Sequence, residues 1–324
     1  MSQPALKPII LIDYHPPSGD IRQEVLEGLA LPQKRLSPKW FYDEEGSRLF
    51  DQITRLPEYY PTRTELGILH THIGEMAELI GSRAAIVEFG AGSSVKIRIL
   101  LDNLNEPAAF IPVDISGEHL LDAARQLAMD YPNLEILPVC ADFTQAFDLP
   151  VPAETANRNL VFFPGSTIGN FSLEQARQLL KVMAIEAGAG GGLLIGVDLK
   201  KDSATLESAY NDAAGVTAEF NLNLLARLNR ELDADFDLNS FAHRAVYNED
   251  KGRIEMHLVS EKNQSVNIAG QQIDFAAGEH ILTECSHKYE LQEFAELAAE
   301  AGFTMRKVWT DPEKMFSVQY LELA

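Results

Sequence analysis

Apolar and polar positions along the chain fall into three regimes. From Ile21 to Gly28, from Gly46 to Leu56 and from about Glu65 to Ile80, apolar residues recur at helical spacing. The Pro-punctuated stretch "LPEYYPTRTE" reads as a loop before the third of these. From Ala85 the pattern changes to short apolar runs separated by amphipathic segments. The runs are "AAIVEFG", "AAFIPVDIS", "LEILPVCADF", "NLVFFPGSTIGN" and "GGGLLIGVDL"; the segments between them are "KIRILLDNL", "GEHLLDAARQLAMDY" and "SLEQARQLLKVMAIEA". This alternation predicts a parallel, doubly wound α/β sheet whose ligand sits beyond the carboxyl ends of the strands.

Beyond residue 200 the alternation stops. Helix-like "TLESAYNDAAGVTAEFNLNLLARLNREL" precedes strand-like "RIEMHLVS" and "QSVNIAGQQIDF", so residues from about 201 to 285 read as an insertion or second lobe. "ELQEFAELAAEAGF", "TMRKVWTD" and "MFSVQYLEL" then supply a helix and two strands that can complete the sheet begun at Ala85. Residues 1 to about 20, with Pro4, Pro8, Pro16, Pro17 and Gly19, read as an irregular arm.

Composition removes several classes of function. A 46% hydrophobic content fills a real core, and 27 Lys plus Arg against 48 Asp plus Glu give a net charge of −21. That charge repels nucleic-acid phosphates and anionic membranes, so neither is an expected partner. No apolar run approaches the roughly 18 residues of a membrane span, and no basic-then-apolar leader precedes a cleavage site. Cys140 and Cys285 stand far apart and outside any zinc spacing, no HExxH is present, and the one HxH pair, His70 and His72, falls on a predicted helix where residues two apart do not share a face, so no metal is expected. The chain reads as soluble and cytoplasmic.

The chemistry gathers at successive strand ends. Glu88-Phe89-Gly90-Ala91-Gly92 places two glycines where a backbone can approach a ligand closely. A dinucleotide turn wants a third glycine, and Val95 stands there instead. Asp114 ends the next run, where a carboxylate can accept both hydrogen bonds of a ribose diol. Asp142 and Phe143 follow the third, offering a partner for adenine N6 and a ring to stack on the base. The set suits S-adenosylmethionine, which has the diol but no diphosphate, and it resembles the class I methyltransferase pattern. Each residue also has a plainer role open to it: Asp114 as a helix N-cap, Glu88 as a solvated strand end and Phe143 as core.

Four further stretches, "FYDEEGSRLFDQITRLPEYYPTRTE", "FFPGSTIGN", "SAYNDAAGVTAEFNLNLLARLNRELDADFDL" and "TECSHKY", together resemble the L-histidine Nα-methyltransferases of ergothioneine biosynthesis. The resemblance runs from about Ser37 to the C-terminus. It implies S-adenosylmethionine-dependent trimethylation of histidine to hercynine, with S-adenosylhomocysteine as the other product. It implies a methyltransferase domain over residues 65–200 and 286–324, and a smaller α+β substrate-binding lobe over 1–64 and 201–285 that closes over histidine. By the same resemblance, Gly90, Lys96, Asp114, Asp142 and Phe143 contact the cofactor, Asn170 and Tyr210 the substrate carboxylate, and Glu284 and Ser286 the imidazole. Met256 lies beside the ring, and Tyr42 close to the reacting amine. Of the pair in "PEYY", Tyr59 has the family's spacing of 17 from Tyr42 (59 minus 42), with Tyr60 the alternative.

From the residues alone, Asn170 serves equally as an N-cap before "FSLEQ", Tyr59 and Tyr210 as half-buried packing, and Met256 as core filler. Glu284 and Ser286, two apart on an extended segment, point the same way and could grip both imidazole nitrogens. Two other readings compete: an N-methyltransferase of another free amino acid such as tryptophan, and a nicotinamide-dependent oxidoreductase.

Overall fold

In the computed structural model of the chain, residues 9–15, 20–92 and 95–324 are described. Pro4, Pro8, Pro16, Pro17 and Gly19 of the expected arm, and Ser93 and Ser94 of the glycine turn, lie outside them. Within that arm, β1 (Ile12–Asp13) is a strand: Ile12 N–H donates to the Pro138 carbonyl at 2.9 Å and Tyr14 N–H to that of Cys140 at 3.0 Å. Helices α1 (Ile21–Leu29) and α2 (Glu44–Ile53) follow. α3 (Tyr60–Ile80) starts inside the stretch expected to be a loop. Pro61 sits in its first turn, where the missing N–H has no intrahelical partner to lose.

The alternating region builds β2 (Ala84–Phe89), α4 (Val95–Leu101), β3 (Ala109–Asp114), α5 (Gly117–Asp130), β4 (Val139–Cys140), β5 (Arg158–Phe163), α6 (Leu173–Ala187) and β6 (Gly192–Asp198). The helical stretch after residue 200 divides into α7 (Ser203–Ser208) and α8 (Val216–Glu231), parted at Gly215, whose φ is +79°. Five strands come next: β7 (Phe241–Asn248), β8 (Arg253–Ser260), β9 (Gln264–Ile268), β10 (Gln271–Phe275) and β11 (His280–His287). α9 (Leu291–Ala299), β12 (Phe303–Thr310) and β13 (Phe316–Leu323) finish the chain.

These elements form two compact units, one of Thr64–Leu199 and Tyr289–Ala324 with β1, the other of residues 20–63 and 200–288. The first holds an eight-stranded sheet in the order β1-β4-β3-β2-β5-β6-β13-β12. β2 pairs in parallel with both β3 and β5, whereas β13 runs antiparallel to β6 and β12. The C-terminal strands thus complete the sheet as the sequence pattern predicts. β2 is buried throughout: Val87 and Phe89 enter the core on one face, Ala84 and Ile86 the core on the other. That two-sided burial explains why its sequence reads as an unbroken apolar run interrupted only by Glu88.

The second unit holds a three-stranded antiparallel sheet, β11-β8-β7, and the hairpin β9-β10. Phe41 stacks on Phe220 of α8 with ring centroids 4.5 Å apart, and Phe236, Phe241 and Phe275 pack edge to face or tilted.

Candidate active site

In the sheet unit, the expected cofactor residues gather at the carboxyl ends of β2, β3 and β4. Gly90 adopts φ +70°, a conformation that disfavours side chains, and its N–H and that of Ala91 both donate to the Val113 carbonyl. A Cβ built on Gly90 would lie 3.7 Å from the Phe143 ring, so the glycine keeps open the space beside that ring. Phe143 itself stacks on Phe89 at 5.4 Å and meets Phe163 edge-on at 6.0 Å, so it is part core and part wall. Asp142 accepts from Thr144 N–H and Oγ1–H at 3.0 and 2.6 Å.

Asp114 Oδ1 accepts from Ser116 N–H at 2.9 Å. Burial raises its carboxyl above the usual range, opposed by the amides of Ser116 and Ile115. Glu88 is 4% exposed, and burial pushes it up to about 8, with the Lys96 ammonium pulling down and the charge of Asp114 adding to the rise. It lines a pocket with Ala91, Gly92, Phe110 and Leu120. Asp114 beside a glycine turn that lacks the third glycine of a dinucleotide site suits a ligand that carries a ribose diol and no diphosphate. The residues present therefore fit S-adenosylmethionine better than a dinucleotide.

Lys96 was expected at the cofactor. Its Nζ ion-pairs with Glu65, which is 1% exposed and also accepts from Gly165 N–H at 2.9 and 3.0 Å. A Cβ on Gly196 would stand 2.1 Å from Glu65 Oε1, so glycine there admits this buried acid. The Glu65 cluster holds the turn after β5, the turn that carries Asn170 at its end. Asn170 does not cap α6: Ser172 does, through a capping box with Gln175. Nothing in the capping of α6 accounts for an asparagine at this position.

In the second unit, β11 and β8 build one face of polar groups. A β-bulge between Leu282 and Glu284 resets the register, after which Glu284 stands directly opposite Met256, and Met256 opposite Ala245. Ser286 follows on the face of Glu284. Tyr210 Oη–H donates to Ser286 Oγ at 3.1 Å. The backbone of Tyr210 is tied to β7 by His243 Nε2, 2.8 Å from the Tyr210 carbonyl, and by the reciprocal bonds of Asn211 with Ala245. Burial pushes the Glu284 carboxyl up to about 7, against the pull of the Lys288 ammonium.

A chain of rings extends from this face. Tyr59 meets Tyr210 at 6.1 Å and Phe50 at 6.4 Å; Phe50 and Phe220 both meet the edge of Tyr42, at 5.7 and 5.9 Å. Tyr60, by contrast, is 1% exposed, accepts from Lys201 Nζ at 2.6 Å and lies under that ammonium. Tyr59 is thus the member of the pair that joins the cluster. Asp43 anchors the neighbouring turn by accepting from Gly46 N–H, Asn223 and Arg230. Tyr42 keeps 45% of its surface accessible, yet its phenol lies far above the usual tyrosine range, through burial first and then the charges of Glu284 and Tyr210.

Sequence reasoning missed Glu65, Phe50, Phe220 and Lys288. Lys288 carried a legible signal, since it continues the two-residue period of Glu284 and Ser286 in "TECSHKY". Among the described residues no cluster of His, Cys, Asp and Glu could hold a metal, and no helix is long and apolar enough to cross a membrane. Both cysteines are free thiols, and burial pushes Cys140 up to about 11.

The family model described as histidine-specific methyltransferase, SAM-dependent, matches residues 21–323. The chain belongs to this family. A histidine N-alpha-methyltransferase of Mycolicibacterium smegmatis is 46% identical over 303 residues, covering 92% of this chain and 93% of its own. Ergothioneine biosynthesis protein 1 of Neurospora crassa is 31% identical over 86% of this chain and 32% of its own length. An L-tryptophan methyltransferase of Psilocybe serbica is 27% identical over 91% of each chain. As a member of this family the protein is an S-adenosylmethionine-dependent methyltransferase.

Proposed function

We propose that the protein trimethylates the α-nitrogen of L-histidine, yielding hercynine for ergothioneine biosynthesis. The observation that carries this reading is the polar face of Tyr210, Glu284 and Ser286 beside Met256, in a chain 46% identical to a histidine N-alpha-methyltransferase. When bound, S-adenosylmethionine supplies a methyl group already activated on a sulfonium. Gly90 and Phe143 border it, Asp114 accepts from its ribose hydroxyls, Asp142 takes an adenine edge, and Lys96 shapes the neighbouring turn through Glu65.

The chain's own work is to hold a neutral amine in line. Tyr210 and Asn170 donate to the carboxylate without bringing a charge, and Glu284 and Ser286 take the imidazole. Tyr42 stays protonated because its phenol is raised so far, so it orients the amine and accepts its N–H bonds rather than removing its proton. The faces of Tyr42, Phe50 and Tyr59 tolerate the growing positive charge on nitrogen. Met256, fully buried opposite Glu284, limits the ring that fits.

Tryptophan fits this face less well, since an indole carries one N–H and leaves Ser286 or Glu284 unpaired. A nicotinamide dinucleotide meets Val95 where its turn would need a third glycine. Mass spectrometry of histidine incubated with protein and S-adenosylmethionine should show gains of one, two and three methyl groups. Faster turnover of tryptophan than of histidine would overturn the reading.

A further inference from the structure

A relay of hydrogen bonds in the second unit ends on the backbone of Tyr210. His243 of β7 stands opposite Leu258 of β8, on the sheet face that carries Met256 and Glu284. Its Nε2 lies 2.8 Å from the Tyr210 carbonyl, and its Nδ1 lies 2.9 Å from Nδ2 of Asn221, a fully buried residue of α8. The same Asn221 amide donates to the His257 carbonyl of β8 at 3.1 Å.

Both ends of the relay are carbonyl oxygens, which only accept, and this fixes every hydrogen between them. Asn221 gives one hydrogen of its NH2 to His257 and the other to His243 Nδ1. Nδ1 is then the acceptor of the ring, so Nε2 carries the N–H and donates to Tyr210. Asn221 Oδ1 is buried with no hydrogen-bond partner among the described residues, so the two acceptors on its NH2 side set the orientation of the amide. His243 is neutral and in one tautomer. Burial holds the ring below the usual histidine range, against the upward pull of the Tyr210 carbonyl and the charge of Asp212.

The relay starts on β8 one residue from Met256, which stands opposite Glu284, and it finishes at Tyr210. In the histidine reading the single hydroxyl hydrogen of Tyr210 goes to the substrate carboxylate, while Glu284 takes the imidazole. We infer that His243, oriented by Asn221, is a positioning residue that acts through the Tyr210 backbone to set the span between the carboxylate grip and the imidazole grip. The inference rests on the histidine reading and adds to it the strut that measures the substrate's length. Folding of the turn does not depend on this strut alone, since neighbouring Asn211 exchanges two bonds with Ala245.

His243→Leu removes the N–H and keeps an apolar side chain in its place. With one neutral hydrogen bond lost, KM for histidine should rise about threefold to tenfold, while kcat and the dissociation constant of S-adenosylhomocysteine stay within about twofold. Two competitive inhibitors locate the effect. Imidazolepropionate has the ring and the carboxylate, and its inhibition constant should rise with KM. Histamine has no carboxylate, and its inhibition constant should hold. His243→Gln, which offers an amide N–H to the Tyr210 carbonyl, should recover most of the loss. Should His243→Leu not fold, His243→Asn keeps an acceptor for Asn221, withdraws only the bond to Tyr210 and should give the same changes. An unchanged KM in a folded variant overturns the inference; so do equal losses for histamine and imidazolepropionate, or equal losses from His243→Gln and His243→Leu. A wild-type protein that does not methylate histidine sinks the histidine reading first, whereas normal turnover by His243→Leu sinks this inference alone.

Discussion

Glutamine at position 284 keeps the shape of the glutamate and removes its charge, which separates what the carboxylate does for binding from what it costs the fold. Burial moves this carboxyl from its ordinary 4.5 to about 7. The native protein therefore holds the proton more tightly than the unfolded chain does. Below about pH 4.5 both forms are protonated and no cost appears; between there and about pH 7 the unfolded chain ionises first and stability falls. Above about pH 7 the full cost is present, on the order of 3 kcal/mol, less whatever solvent reaching this half-buried side chain screens. Glu284→Gln should thus raise the melting temperature of the ligand-free protein by several degrees at about pH 8.5 and leave it nearly unchanged at about pH 5. Histidine affinity should move the other way. A hydrogen bond to a charged acceptor contributes about 1.5–3 kcal/mol and a neutral one about 0.5–1.5, so binding should weaken about tenfold. Thermal melts at the two pH values and calorimetry with histidine test both halves. A variant less stable than wild type at about pH 8.5, or one that binds histidine unchanged, would refute the placement of a strained carboxylate at the imidazole.

Gly196→Ala sets a Cβ 2.1 Å from Glu65 Oε1 and 3.2 Å from Gly165 N, so it should cost about 1–3 kcal/mol and lower the melting temperature. It should also weaken S-adenosylhomocysteine binding by disturbing Lys96. Asp114→Asn keeps the bond from Ser116 but loses the charged acceptor, so calorimetry should show cofactor affinity falling about tenfold or more, while the melting temperature of the ligand-free protein at neutral pH should not fall, because burial raises this carboxyl. Tyr42→Phe should lower kcat on histidine with KM nearly unchanged. The loss should be smaller on α-N,N-dimethylhistidine, whose neutral amine has no N–H to donate; equal losses on both substrates would count against Tyr42 as an acceptor.

Much of the sheet unit was legible because its signals are local. Two-sided burial makes β2 an apolar run, a 3.6-residue stripe makes α6 a helix, and the glycines after β2 mark a turn that side chains would block. The second unit was less legible. β7 and β11 mix polar and apolar residues on both faces, and their burial does not alternate regularly, so their periodicity is weak, and no local pattern separated α7 from α8. The start of α3 was misplaced because Pro61 reads as a breaker until it falls in a first turn, where it breaks nothing.

By itself the sequence determined the alternating sheet, the acids and ring at the strand ends and, through its family motifs, the residues expected at histidine. Only the tertiary structure decided which of those groups face one another. Tyr59 and Tyr60 are neighbours in the chain, yet one joins the ring cluster and the other is covered by Lys201. Glu284 meets Met256 because a bulge shifts two strands distant in sequence. Lys96 turns to a buried acid 31 residues before it, and Lys288 becomes an internal donor only when Tyr210 closes over it. Hydrogen-bond direction and burial depend on partners brought from far along the chain, and local residue spacing holds no record of them.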